Sequence, residues 1–308
     1  MKALILGGGS MKGAFQVGAA KAVLEDGFAP DMIYGVSVGA LNATYLVNEA
    51  GKQDLENGCI DWPVVGRNLM AFWIKHITQP QDVAILRSRM SLGFNTLMSR
   101  FNGLLDPAPL HNLIRHHTDA FVLRNSPVRI KVGAVNITHG DIVYASPDDE
   151  FFMDYVRASS SLPMLMPAVP IGSKTEQYLD GGLRVVAPIH EAIRDGAREI
   201  VLIACHAKQL YSRENFSSRN LISLIERVKD VTVNQIVNND IEWAEGYAER
   251  SVLRGDPIKL TIIRPEEPLL LDLQGFSSED ITRLILEGYK IGLDSLKRAK
   301  GGAKRNTR

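Results

Sequence analysis

The chain has 308 residues, 45% of them apolar and 23% charged, the balance of a soluble globular enzyme rather than a disordered or fibrous chain. Its 35 basic and 35 acidic residues cancel, no nucleic-acid partner is expected, and two cysteines, Cys59 and Cys205, are too few for a disulfide framework or a zinc site. No uninterrupted apolar run approaches the roughly 18–20 residues that span a bilayer, so a cytoplasmic protein is expected. In chain order, Ala3, Leu4, Ile5 and Leu6 read as a first buried strand; a single positive charge before four apolar residues is too short for a signal peptide. The loop Gly7-Gly8-Gly9-Ser10-Met11-Lys12-Gly13 then opens a helix, with Phe15, Ala19 and Ala22, and Val17 and Leu24, at helical spacings. Asp26 and Gly27 close that helix, residues 31–34 form a second strand, and another helix follows Ser37. The order strand, helix, strand, helix within 50 residues points to an α/β fold with a parallel sheet.

Residues 48–124 show no strand pattern and read as a mostly helical insertion. Aromatic and Met residues there (Trp62, Phe72, Trp73, Met90, Phe94, Met98, Phe101) interleave with Arg67, Arg87, Arg89 and Arg100, a pattern that fits an interfacial lid but is better read as helices packed on a core. Strands return at 129–135 and 141–145 around Thr138-His139-Gly140 as an antiparallel hairpin, and at 176–180 before Gly181-Gly182. A helix at 189–195, a buried strand at 199–205 containing Cys205, one or two helices over 221–250, a strand at 259–264 and a helix at 278–299 complete the pattern. With no repeat or long linker, one domain over residues 1–296 is expected. Residues 297–308 carry six basic and no acidic residues and read as a disordered tail, with a weak anchor to anionic lipid as the functional alternative; the body then carries 29 basic and 35 acidic residues, about −6.

The chemistry concentrates at Gly35-Val36-Ser37-Val38-Gly39, where a strand meets a helix. A serine on so tight a turn presents its hydroxyl at the carboxyl edge of the sheet, and glycines two positions either side admit close backbone approach. The loop after the first strand supplies unhindered N–H groups at a helix start, a site for negative charge, and neighbouring parallel strands would bring it beside Ser37. A dinucleotide fingerprint fails in every register of that loop, and a P-loop fails because Lys12 precedes Gly13 with no Ser or Thr after it.

Four segments in order resemble the patatin-like phospholipases: the Gly-rich loop ending Lys12-Gly13, the elbow from Gly35 to Ala43, the run from Ala158 to Pro167, and Tyr178-Leu179-Asp180-Gly181-Gly182. Leu105-Asp106-Pro107-Ala108-Pro109-Leu110 resembles a further family segment. The resemblance implies a three-layer αβα fold with a mostly parallel central sheet and a helical insertion over the site. It also implies a serine acyl hydrolase acting on lipid acyl esters, with no metal and no organic cofactor. By the same resemblance Ser37 is the nucleophile and Asp180 the base, and the N–H groups of Gly8, Gly9 and Ser10 hold the oxyanion. Lys12, Gly13, Gly35, Gly39, Gly181 and Gly182 support the motifs, and Lys12 is read as a positioning residue or a contact to an anionic head group. Ser159, Ser160 and Ser161 are read as shaping a loop rather than reacting.

Ser10 departs from the glycine usual in the family, and a left-handed backbone there would be strained in a serine. That departure supports the rival reading of a non-catalytic lipid- or partner-binding protein. Ser37, Asp180 and His206 also follow the Ser, acid, His order of α/β-hydrolases, although that fold places several strands before its elbow and here there is one. A thioesterase or transacylase would use the same residues. The lipid partner is expected to bring peripheral membrane contact, and head group and oligomeric state are not encoded in any motif.

Overall fold

The computed structural model describes residues 1–88, 103–172, 176–212, 219–271 and 273–303. Its sheet is eight-stranded, running through hydrogen-bonded neighbours as β10–β9–β1–β2–β5–β8–β7, with β6 also pairing β5. The strands are β1 (Lys2–Leu6), β2 (Met32–Val36), β5 (Arg129–Asn136), β6 (Asp141–Ala145), β7 (Val169–Pro170), β8 (Gln177–Asp180), β9 (Glu199–Ile203) and β10 (Lys259–Ile263). β10, β9, β1, β2 and β5 are mutually parallel, and β6, β7 and β8 join antiparallel. A two-residue pair, β3 (Ile85–Leu86) with β4 (Leu105–Asp106), stands apart. It lies inside the stretch read as strandless, because two residues are too few for any periodicity to register.

Alternation along β1 sorts the core into two layers. Leu4 and Leu6 face one side with α1 (Gly13–Glu25), α2 (Val38–Asn57), α3 (Trp62–His76), α6 (Phe152–Ser159) and α9 (Ser278–Ala303). Ala3 and Ile5 face the other, against α7 (Ile189–Arg194) and α8 (Leu221–Leu253). Helices on both faces of a mainly parallel sheet make this a three-layer αβα architecture. α1 is buried on nearly every side because α3 and α9 cover what the sheet leaves open.

Residues 48–124 hold the end of α2, then α3, the β3–β4 pair, α4 (Ala108–His117) and α5 (Ala120–Asn125). Trp73 is buried and Phe72 packs on Tyr45 and His117, while Trp62 and Met70 are partly buried against the same core. Arg89, Met90, Phe94, Met98, Arg100 and Phe101 lie outside the described residues. The basic run beginning at Lys297 is not wholly a tail: α9 continues to Ala303, Arg298 pairs with Glu266 at 3.1 Å, and Lys300 pairs with Asp26 at 2.6 Å. The helix keeps going because 299–303 contains no Pro, and these two ion pairs dock its last turns. Residues 304–308 lie outside the described residues. Among the described residues no helix is long and apolar enough to cross a membrane.

Candidate active site

The sheet's register brings two distant residues together. β6 covers Val132 to Asn136 of β5, so β2, which pairs with residues up to Gly133, and β8, which pairs from Ala134, must share the opposite edge of β5 end to end. Val36 lies opposite Gly133 and Asp180 opposite Ala134. The residue after Val36 is Ser37, and its Oγ donates a hydrogen bond to Asp180 Oδ2 at 2.6 Å.

Ser37 itself sits at φ 58°, ψ −130°, between the end of β2 and the start of α2. Such backbone costs on the order of 1–3 kcal/mol and persists only where neighbours enforce it. Here its N–H donates to Ser159 Oγ at 2.9 Å, and the Ser159 hydroxyl donates to Gly133 O at 2.6 Å. The flanking glycines are required by approach: a Cβ on Gly39 would lie 2.0 Å from Leu6 O, and one on Gly35 2.4 Å from Gly39 O. Ser161 O accepts the Asp180 N–H at 3.0 Å, and the hydroxyls of Ser160 and Ser161 both cap Arg157 O, so all three serines brace the site.

Asp180 is buried, with Oδ1 accepting from Gly182 N–H at 2.7 Å. Burial pushes its carboxyl up to about 6, against the hydrogen bonds from Ser37 and Gly182 and the charge of Lys229. A carboxylate so perturbed and bonded to a serine hydroxyl is a candidate general base.

β1 is flanked by β2 and β9, so its carboxyl end lies where the chain's strand order diverges, and the Gly-rich loop emerges there. Gly8 comes close enough to Ser37 that a Cβ on it would lie 3.2 Å from the serine Cβ. One expected donor is corrected. The Gly8 N–H is already bonded to Val186 O at 3.0 Å, whose own position is set by Asp240 Oδ2 accepting from Val186 N at 3.0 Å and Ala187 N at 2.9 Å. The amides of Gly9 and Ser10 have no acceptor among the described residues, which leaves these two as the donors of the loop. Ser10 adopts φ 52°, the left-handed conformation that the departure from glycine put at issue, and still leaves the loop beside Ser37.

The loop rests on a buried polar chain that no motif announces. Gln16 Nε2 donates to Gly7 O at 3.1 Å and Ile203 O at 3.2 Å, Asn42 Nδ2 donates to Gln16 Oε1 at 2.9 Å, and Trp73 Nε1 donates to Asn42 Oδ1 at 2.8 Å. A glutamine in an apolar helix was the available signal. Lys12 turns away from any head-group role into an ion pair with Asp230 at 3.2 Å. His206 lies near the site but not between serine and aspartate, which bond directly. Burial drives its imidazole well below the ordinary range, and its Nδ1 has no partner among the described residues. The Ser, acid, His relay is therefore not built. Cys205 is buried and free, its thiol pushed up to about 12 by burial, as befits a small core residue.

Ser37, Asp180, Gly9 and Ser10 open into a cavity walled by Leu162, Met164, Leu183 and Val186 on one side and by α8 on the other. The sequence profile of the family described as patatin-like phospholipase matches residues 4–193. An uncharacterized Escherichia coli K12 protein, YjjU, is 28% identical over 153 residues, which cover 48% of this chain and 40% of that protein. Similar solved structures include VipD from Legionella pneumophila and the type III effector ExoU, each 13% identical with 97% of this chain covered. Their TM-scores are 0.41 and 0.38, and 67% and 53% of those chains are covered.

Proposed function

Because the chain belongs to the patatin-like phospholipase family, whose members are lipid acyl-ester hydrolases, we propose that it cleaves lipid acyl esters through a Ser37–Asp180 dyad. The observation that carries this reading is the 2.6 Å hydrogen bond from Ser37 Oγ to a buried Asp180. In the proposed mechanism Asp180 takes the Ser37 proton as Oγ attacks the ester carbonyl, and the N–H groups of Gly9 and Ser10 receive the developing oxyanion. The leaving alcohol departs with that proton, and the carboxylate then activates water to release the acid from the acyl-enzyme. Aspartate is a weak base toward a serine hydroxyl, so the step depends on contact geometry and on donors that act in the transition state.

The apolar cavity walls suit an acyl chain, and the mouth supports peripheral contact with a lipid surface. Met164 is 52% and Val228 48% exposed, and Leu221, 57% exposed, continues outward the α8 face that carries Ile225 and Val228. Ser37→Ala and Asp180→Asn should each lower turnover of a short p-nitrophenyl ester by at least about a thousandfold while the circular dichroism spectrum is unchanged. Retained turnover in the Ser37→Ala protein would refute the assignment.

A further inference from the structure

Two further spaces adjoin the catalytic cavity, and together they make a route away from Ser37. A void of about 40 Å³ touches Ser37 and is walled in part by Ser10, Met11, Val83, Leu162 and Met166. The same five residues line a larger chamber, about 400 Å³, between β3, the first turns of α8 and the loop before α9. Ser10 and Leu162 also face the catalytic cavity, so all three spaces border these two side chains. Of the described residues around the chamber only Ser10, Gln81, Glu226 and Gln274 have polar side chains. Leu162, Leu165 and Met166 pack there with Ala84, Leu105 and Ile222 as an apolar cluster separate from the two that flank the sheet. Size then decides which space can take a chain. An apolar cavity of about 150 Å³ admits benzene, roughly 25 Å³ per carbon atom. On that scale the catalytic cavity, about 120 Å³, holds about five carbons and the chamber about sixteen. The other continuation of the void, under α3 beside Trp73 and Ile77, is about 20 Å³, too small for one more carbon.

Resting on the reading of Ser37 as nucleophile, we propose that an acyl chain too long for the catalytic cavity turns at Leu162 and lays its distal part in the chamber. Met11, Leu162 and Met166 form the gate between the two, and gate and chamber together set the chain length that the enzyme accepts. All three gate residues are buried, at 7%, 8% and 5% exposure, so the passage opens by movement of side chains rather than by standing clear. Methionine suits that role, because its unbranched chain changes rotamer at little cost and repacks against irregular apolar surface. The exposed mouth at Met164 and Val228 is then left to the alcohol part of the substrate. Each methylene moved from water onto an apolar wall favours binding about fourfold, so the chamber raises kcat/KM for long chains without touching Ser37.

Ala84 lines the chamber and neither the catalytic cavity nor the void, which makes it the place to shorten the chamber without disturbing the chemistry. The measurement is kcat/KM on p-nitrophenyl butyrate, which the catalytic cavity holds alone, and on p-nitrophenyl laurate, which needs the chamber. Ala84→Trp should lower the laurate-to-butyrate ratio at least tenfold with butyrate turnover within twofold of the unmodified protein. Leu273→Trp, on another wall of the chamber alone, gives the same test should the first variant fail to fold. Leu162→Trp, which plugs the gate, should also lower the ratio at least tenfold. A ratio unmoved by filling the chamber, or one that survives Leu162→Trp, overturns the proposal. 2-Tridecanone, a ketone with the laurate chain and no bond to hydrolyse, separates the chamber from the hydrolase reading. By isothermal titration calorimetry it should bind the unmodified protein at least tenfold tighter than the Ala84→Trp protein. That difference in a protein that turns over neither ester would remove the hydrolase reading and leave the chamber standing, whereas turnover of both esters with equal ketone binding would overturn the chamber alone.

Discussion

Ser37 and Asp180 are both held in states that their own chemistry resists, one in its backbone and one in its charge. With the carboxyl raised to about 6, the base is protonated and idle below that pH, so kcat/KM should rise with pH through about 6 and level off above it. The stability consequence has the opposite sign. The ordinary value of 3.8 lies below the folded value of about 6, so the unfolded chain gives up the proton first, and stability falls between those pH values and stays lower above them. The difference corresponds to about 3 kcal/mol. Asp180→Asn, whose single amide oxygen can still accept from Gly182 N–H while its amino group donates to the Ser37 hydroxyl oxygen, should therefore be inactive yet melt at or above the temperature of the unmodified protein at pH 8; a lower melting temperature would show that the charge is not a burden on the fold. Ser10 belongs with these strained residues, because its left-handed backbone costs a non-glycine residue on the order of 1–2 kcal/mol.

At the scale of elements, α8 works at a distance through Asp240, which accepts from Val186 and Ala187 N–H, and Val186 O in turn accepts from Gly8 N–H. Asp240→Ala would leave two N–H groups without their acceptor and should cost about 2 kcal/mol in a denaturant titration. It should also lower kcat more than it raises KM, because it shifts the loop that supplies Gly9 and Ser10; a pure KM effect would contradict this linkage. The same elements explain what the sequence made legible. Ser37 and the parallel β1–β2 pair were readable because the elbow pattern is local, as was the pairing of β5 with β6 across its short turn. The engagement of Gly8 was not, since its acceptor is fixed by a side chain 54 residues beyond Val186 on another layer. Lys229 was equally hidden, because its place on the cavity face depends on how α8 lies over the sheet. The helical end at Ala303 was missed because partners as distant as Asp26 stabilise it.

On the scale of the whole molecule, the sheet's carboxyl edge gathers the Gly-rich loop, the elbow and Asp180 under one mouth, and under the proposed function the exposed apolar residues around that mouth would be the surface that meets lipid. Leu221→Glu should lower the ratio of vesicle turnover to soluble-ester turnover at least fivefold, measured on phospholipid vesicles and a short p-nitrophenyl ester. An unchanged ratio would place the membrane-facing surface elsewhere. Hydrolysis by the proposed route requires Ser37 to be an activated nucleophile. Intact-mass spectrometry with peptide mapping after treatment with a fluorophosphonate should find a single adduct, on Ser37, that is absent from the Asp180→Asn protein. An unlabelled chain, or an Asp180→Asn protein labelled as fast as the unmodified one, would contradict it.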